Sequence, residues 1–403
     1  MDVSIPERRA GFDPALTVIA AGVCAALHVG KLPPAIAALQ TALGLTLVQA
    51  GFLLSLVQLA GMSLGIAFGL AADTLGPRRS VLLGLATLSL ASVLGGASDA
   101  VQLLMVLRAV EGFGFLLVVL PAPGLVHRLA APGRSSVLLG LWGAYMPFGT
   151  AMALLAGPLW IEWLGWRAWW WLLAAISAGM AVVVARALPA TQAAAHAATD
   201  TAAWAARVRR TLGARGPWLV ALSFAMYSSQ WLSVIGFLPA IYTQAGISGA
   251  STGLLTALAA AVNMSGNMAA GRLQHAGVAP ARLLTIGFAT MGLAAAAAFA
   301  GSDGQGLPPT LRYLAVLLFS AVGGLIPGTL FALAVRLAPD SHSLGTTVGW
   351  VQQWSAFGQF AGPPLVAWIA SRAGGWQYTW IATGACALAG LWLMTRIRQQ
   401  LMR

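Results

Sequence analysis

The chain has 403 residues, of which 59% are hydrophobic and 8% charged, and 22 basic residues against 10 acidic ones leave a formal charge of +12. Soluble domains carry roughly 25% charged residues and cover one core with a charged skin. This composition excludes a soluble enzyme, a nucleic-acid binder and a disordered chain, and leaves a polytopic helical membrane protein.

A spanning helix needs about 20 mostly apolar residues. Breaks of charge, proline and glycine predict twelve spans, at 14–38, 47–71, 79–97, 100–126, 135–161, 168–188, 217–243, 250–271, 281–300, 311–335, 343–370 and 377–396. The runs are continuous rather than alternating, which excludes transmembrane β-strands. The segment before the first span mixes both charge signs and precedes an apolar run too long for a signal peptide, so no cleaved leader is expected. Cys24 and Cys386 lie far apart with no metal-ligand spacing around them, so neither a disulfide framework nor a metal is expected.

Orientation follows from the arginines. A cytoplasmic N-terminus places seventeen of them inside and three, Arg167, Arg312 and Arg372, outside. Both termini are then expected in the cytoplasm of a bacterial inner membrane, the arginine and alanine bias suggesting a GC-rich bacterial source. The tryptophans between Trp160 and Trp171 are expected to form an outer interfacial belt. Residues 189–216, Ala/Thr-rich and then basic at Arg207, Arg209 and Arg210, read as a cytoplasmic linker with a short membrane-surface helix. It separates an N-terminal six-helix bundle, 1–188, from a C-terminal one, 217–403.

Short words recur in order at offsets of about 205. Pro34 matches Pro239, Arg128-Leu129 matches Arg336-Leu337, Gly157-Pro158 matches Gly362-Pro363, and Gly165-Trp166 matches Gly375-Trp376. Six spans duplicated in parallel and joined by a linker make a known transporter plan. The loop after the second span reads Gly69-Leu70-Ala71-Ala72-Asp73-Thr74-Leu75-Gly76-Pro77-Arg78-Arg79, and the fourth span carries Arg108-Ala109-Val110-Glu111-Gly112. Over nearly its whole length, with these motifs, the sequence resembles the major facilitator superfamily. That resemblance implies an all-α membrane fold of two parallel six-helix repeats working by alternating access. Thr74 and Pro77 stand at two positions where the family usually has basic residues. Gly69 and Gly76 permit close approach and a tight turn. Asp73 can pair with Arg78, Arg79 or Arg128, or meet a helix N-terminus of the other half, giving a gating latch that forms when the cytoplasmic side closes.

Two spans carry charges. His28 and Lys31 are three apart on the first span, as are Arg108 and Glu111 on the fourth, and at 1.5 Å per residue both pairs reach similar depth. Each unpaired charge at mid-membrane costs about 2.5–3.5 kcal/mol. In the family both spans line the central cavity. Glu111 can offset one of the two cations, so an anion-attracting cavity is expected, with Lys31, Arg108 and His28 as substrate contacts. Glu111 and His28 are the candidates for proton coupling. For Arg108, a structural cation bonded to backbone carbonyls is the competing reading. The second half offers neutral candidates: Tyr227 and Gln230 on the seventh span, Asn263 on the eighth, and Gln353 and Trp354 on the eleventh.

These residues carry no HExxH, nucleotide loop or paired-carboxylate site, so an enzyme or an ATP-driven pump is not expected, and neither is a cofactor. The expectation is a monomeric secondary transporter, working as a symporter, for a small anionic solute. A proton-driven drug or metabolite efflux antiporter is the alternative. The passage Tyr227 to Tyr242 and the stretch Pro34 to Leu54 resemble the cyanate/nitroimidazole transporter branch, with Lys31 where that branch has an arginine. Gly157-Pro158 resembles an antiporter signature that Ile161 and Glu162 leave incomplete.

Overall fold

A computed structural model describes residues 13–66, 76–131, 134–189, 201–247, 249–301 and 306–402, and among these every regular element is a helix. The first span, Pro14–Leu43, opens on Asp13, whose carboxylate accepts from the Ala15 and Leu16 amides. It tightens through a 3₁₀ turn at Pro33–Ala35 and ends at Gly44 with φ 65°. The second, Leu47–Leu64, begins with a capping box between Thr46 and Gln49. The third and fourth are Pro77–Gly96 and Val101–Leu129.

The fifth and sixth fall near the expected positions: Ser135–Trp142 leads into a helix that starts at Tyr145, the sixth ends at Ala187, and the two are separated at Gly165, whose φ 83° and ψ 165° are non-helical. Glycine pays no Cβ penalty there, so the chain reverses at one residue without a loop. The remaining spans are Arg215–Gln244, Gly249–Ala261 with Asn263–His275, Pro280–Phe299, Pro309–Arg336, Leu344–Ala373 and Thr379–Leu401.

Among the described residues nine helices are long and apolar enough to cross a membrane. One of them holds the fifth and sixth spans together. The eighth falls short because it breaks at Val262, beside Asn263. The eleventh is long enough but dilutes its apolar residues with Gln352, Gln353 and Gln359.

Corresponding pairs pack through small residues, as transmembrane helices do where backbones approach closely. In the first half, a Cβ on Gly157 of the fifth span would lie 2.6 Å from Pro34 of the first. In the second half, a Cβ on Gly358 of the eleventh would lie 2.3 Å from the Ala225 carbonyl of the seventh. The tryptophan cluster is not a simple belt. Trp163 is 78% exposed, but Trp166, Trp169 and Trp170 are buried. Trp169 Nε1 donates to the Lys31 carbonyl (3.0 Å), and Trp170 lies under the Lys31 ammonium at 4.8 Å. The sixth span turns these rings inward to cover buried charge, which a count of aromatics near an interface does not reveal.

The halves touch at the end away from the linker, and the second and eleventh spans stay in contact from there to Gly65 and Gly349 near the linker end. Gly236 of the seventh span meets Leu54 of the second, Gly51 meets Pro363 and Pro364, and Gly253 meets Leu155 and Pro158. Beside that line of contact the other spans enclose a cavity whose lining reaches the linker at Trp204 and Arg207. The linker contains a helix, Thr201–Gly213, held to the second half by an Arg210–Asp340 ion pair at 3.2 Å and by Trp218 Nε1 donating to the Leu212 carbonyl at 2.8 Å.

Candidate functional site

The cavity has a volume of about 940 Å³, within the range that takes a drug-sized molecule. The second half presents one face of the seventh span to it, Phe224, Tyr227, Ser228 and Trp231, residues spaced to share a helical face. The eighth span adds Asn263 and Asn267, and the eleventh adds Gln352, Gln353 and Gln359. The fourth span supplies a largely apolar wall that includes Phe115 and Leu116, and the fifth supplies Trp142 and Tyr145.

The polar groups are cross-braced. Asn263 Nδ2 donates to the Tyr227 hydroxyl (3.0 Å) and to the Ser320 carbonyl (2.8 Å), while its Oδ1 accepts from Asn267 Nδ2 (2.9 Å). Trp231 Nε1 donates to Ser320 Oγ (3.2 Å), and Ser228 Oγ donates to the Ser355 carbonyl (2.7 Å). Phe224 sits edge-on to Phe331 at 5.4 Å and tilted against Tyr227 at 6.0 Å. Across the two halves Gln58 Nε2 donates to Gln359 Oε1 (3.1 Å), and, about two helical turns nearer the linker end, the Ile66 amide donates to Gln353 Oε1 (3.1 Å). The result is a neutral chamber of aromatic faces and amides whose side chains are already oriented. Among the described lining residues no carboxylate is present, and the basic side chains are Arg207 and His342 near the linker end.

Of the neutral residues that the sequence singled out, Tyr227, Asn263 and Gln353 line the cavity. Gln230 does not line the cavity; its Nε2 donates to the Met226 carbonyl (2.9 Å). Trp354 lies outside it too, packed edge-on against Trp218, Trp350 and Phe357, because a one-residue step from Gln353 turns about 100° around the helix.

The charged quartet is brought together, but inside the first six-helix bundle. No described residue of the first span lines the cavity. His28 and Lys31 are fully buried, and Arg108 and Glu111 are 1% exposed. Glu111 bridges both cations, one oxygen to Lys31 and the other to Arg108 Nη1 at 2.5 Å. Arg108 is satisfied further by two carbonyls, His28 at 2.9 Å and Leu53 at 3.1 Å. Lys31 also donates to Ser92 Oγ (2.9 Å). His28 Nε2 sits 2.7 Å from Ser177 Oγ, and its Nδ1 lies 3.7 Å from Glu111. A solute in the cavity therefore meets none of these four side chains in this conformation. The pairing that the spacing suggested is present, facing the bundle interior rather than the cavity.

Of the expected latch, Gly69 and Asp73 lie outside the described residues. Gly76, at φ 76°, opens the third span ahead of Pro77. Arg78 Nη2 donates to the Ala185 carbonyl of its own half (2.7 Å), and Arg79 and Arg128 are exposed. Sequence reasoning missed Gln58 and Gln359 as a cross-half pair, and Trp204 and Arg207 of the linker as cavity lining. The available signal was an amide deep inside each of the two apolar spans, and a tryptophan in an alanine-rich linker.

The model of the Major Facilitator Superfamily matches residues 18–363. Over 175 residues the chain is 31% identical to a puromycin resistance protein of Streptomyces alboniger; the match takes in 43% of this chain and spans about a third, 35%, of that protein. It is 28% identical over 329 residues to human monocarboxylate transporter 11, covering 78% of this chain and 67% of that one. Among solved structures, the bacterial homologue of the human lysosomal transporter Spinster, inward-facing and occupied, superposes with a TM-score of 0.78 at 16% identity over 96% of each chain. The likeness at that identity is one of fold.

Proposed function

Because this chain belongs to the Major Facilitator Superfamily and is a membrane transporter, we propose that it exports an aromatic, neutral or weakly charged organic solute. The carrying observation is the aromatic and amide lining of the 940 Å³ cavity, whose basic side chains, Arg207 and His342, stand at the linker end. Its size suits a drug-sized molecule, and aromatic faces with fixed amides favour flat rings bearing hydrogen-bonding groups. The resemblance to a puromycin resistance protein supports the same reading. The arginine bias makes the linker end cytoplasmic, so the solute enters from the cytoplasm. Proton antiport is the coupling that fits export, and Asp73 with Arg78, Arg79 and Arg128 form the latch that closes the cytoplasmic side.

A second reading, a small organic anion, is favoured by Arg207 and His342 in the lining and by the likeness to a monocarboxylate transporter. Everted vesicles energised with a proton gradient separate the two. Export of aromatic solutes gives accumulation of puromycin that Tyr227→Ala and Asn263→Ala abolish. Accumulation or proton-driven exchange of lactate, with no puromycin movement, rejects export of aromatics in favour of the anion.

A further inference from the structure

Away from the central cavity, a second pocket of about 510 Å³ lies at the linker end between the start of the seventh span and the end of the twelfth. Arg215 and Arg396 both line it, with Gln399 and Gln400 beside them and Trp218 and Trp392 as walls. Among the described residues no carboxylate lines it and neither arginine forms an ion pair. Two unneutralised cations sharing one pocket repel each other and favour an anion between them. Their setting narrows which anion.

On the twelfth span, Leu388, Trp392 and Arg396 follow one another at four-residue intervals, so they run up one side of the helix. Leu388 is 70% exposed and Trp392 56% exposed, facing outward from the bundle. The Arg396 guanidinium lies over the Trp392 ring at 5.2 Å. Over about 12 Å of rise the surface thus passes from aliphatic to aromatic to cationic. That is the order acyl chain, glycerol, phosphate of a bilayer leaflet, with tryptophan at the interfacial level. A soluble anion would use the cations alone, whereas a lipid would also lay its chain along Trp392, which lines the pocket, and Leu388, one turn beyond it on the same side.

We propose that this pocket binds the phosphate of an anionic phospholipid, with Arg215 and Arg396 on the headgroup and Leu388 and Trp392 along the chain. The site braces the seventh span, which carries Tyr227 and Trp231 into the cavity, against the twelfth. Its leaflet rests on the orientation adopted above, in which the linker end is cytoplasmic. Its binding does not depend on transport.

The test is native mass spectrometry of the full chain in mild detergent, titrated with phosphatidylglycerol or phosphatidylcholine. The expected result is preferential retention of one phosphatidylglycerol. In Arg215→Gln/Arg396→Gln that retention weakens about thirtyfold, at roughly the contribution of two arginines to an anionic surface. The Arg215→Lys/Arg396→Lys variant restores most of it, and millimolar inorganic phosphate does not displace the lipid. Equal retention of both lipids, or unchanged retention in the glutamine variant at unaltered melting temperature, overturns the proposal. Displacement by inorganic phosphate overturns it in favour of a free-anion site. The binding is read without flux, so a negative puromycin assay leaves this result standing, and the reverse holds as well.

Discussion

Glu111→Gln is the sharpest probe of the buried quartet. In the structure this carboxylate accepts from both Lys31 and Arg108, and its exposure is 1%. The substitution is nearly isosteric, so it opens no cavity. It leaves two cations facing each other in the interior of the first six-helix bundle, with hydroxyl and carbonyl oxygens but no anion. Removing one partner of a buried pair costs about 3–5 kcal/mol, and a mid-membrane charge without a partner about 2.5–3.5 kcal/mol. Both estimates predict a large loss of stability from a change that touches no cavity residue. The assay is thermal unfolding of purified protein in detergent, with Lys31→Met/Glu111→Gln as the companion variant. The single change should lower the melting temperature strongly, and the double variant should recover part of it by removing one stranded cation. A Glu111→Gln protein as stable as the wild type would refute the pairing.

Three further outcomes follow from named contacts. Gly324→Ala would place a Cβ 2.2 Å from the Asn263 carbonyl, backbone against backbone where the eighth and tenth spans cross; overpacking of this kind costs about 1–3 kcal/mol, read as a lowered melting temperature with Tyr227 and Asn263 displaced. Arg210→Gln removes an ion pair whose partners are 51% and 30% exposed, so stability should change by less than about 1 kcal/mol and flux alone should report any role of the linker helix. Gln359→Leu removes the hydrogen bond to Gln58, one of two named here that cross between the halves. A net loss of about 1 kcal/mol should favour opening at the far end roughly fivefold, read as faster maleimide labelling of a cysteine at Ala240, with Cys24 and Cys386 replaced.

The spans were legible because continuous apolar runs carry the signal whatever surrounds them. The internal repeat was legible because proline and glycine keep their packing duties, as Gly157 does against Pro34. What the sequence could not give is which neighbour covers a given helical face. Spacing of three put His28 beside Lys31 and Arg108 beside Glu111, and the structure brings the two pairs together. Periodicity alone does not say whether that shared face looks onto the central cavity or into the six-helix bundle. The same gap explains Trp169 and Trp170, which cover Lys31 rather than anchor in an interface. It also explains Gln353 and Trp354, adjacent in sequence and facing different surroundings. The contact between Gln58 and Gln359 crosses 301 positions, beyond any local pattern.

The claim that the neutral cavity, and not the buried charges, meets the solute is tested most directly by equilibrium binding. Puromycin affinity measured by isothermal titration on wild type, Tyr227→Ala/Asn263→Ala and Lys31→Met/Glu111→Gln separates the two sites. The account predicts at least about tenfold weaker binding in the cavity variant, from hydrogen bonds of about 1 kcal/mol each with stacking added. It predicts affinity within about twofold of wild type in the quartet variant, whose side chains do not reach the cavity. Undiminished binding in the cavity variant, with binding lost in a folded quartet variant, would contradict it.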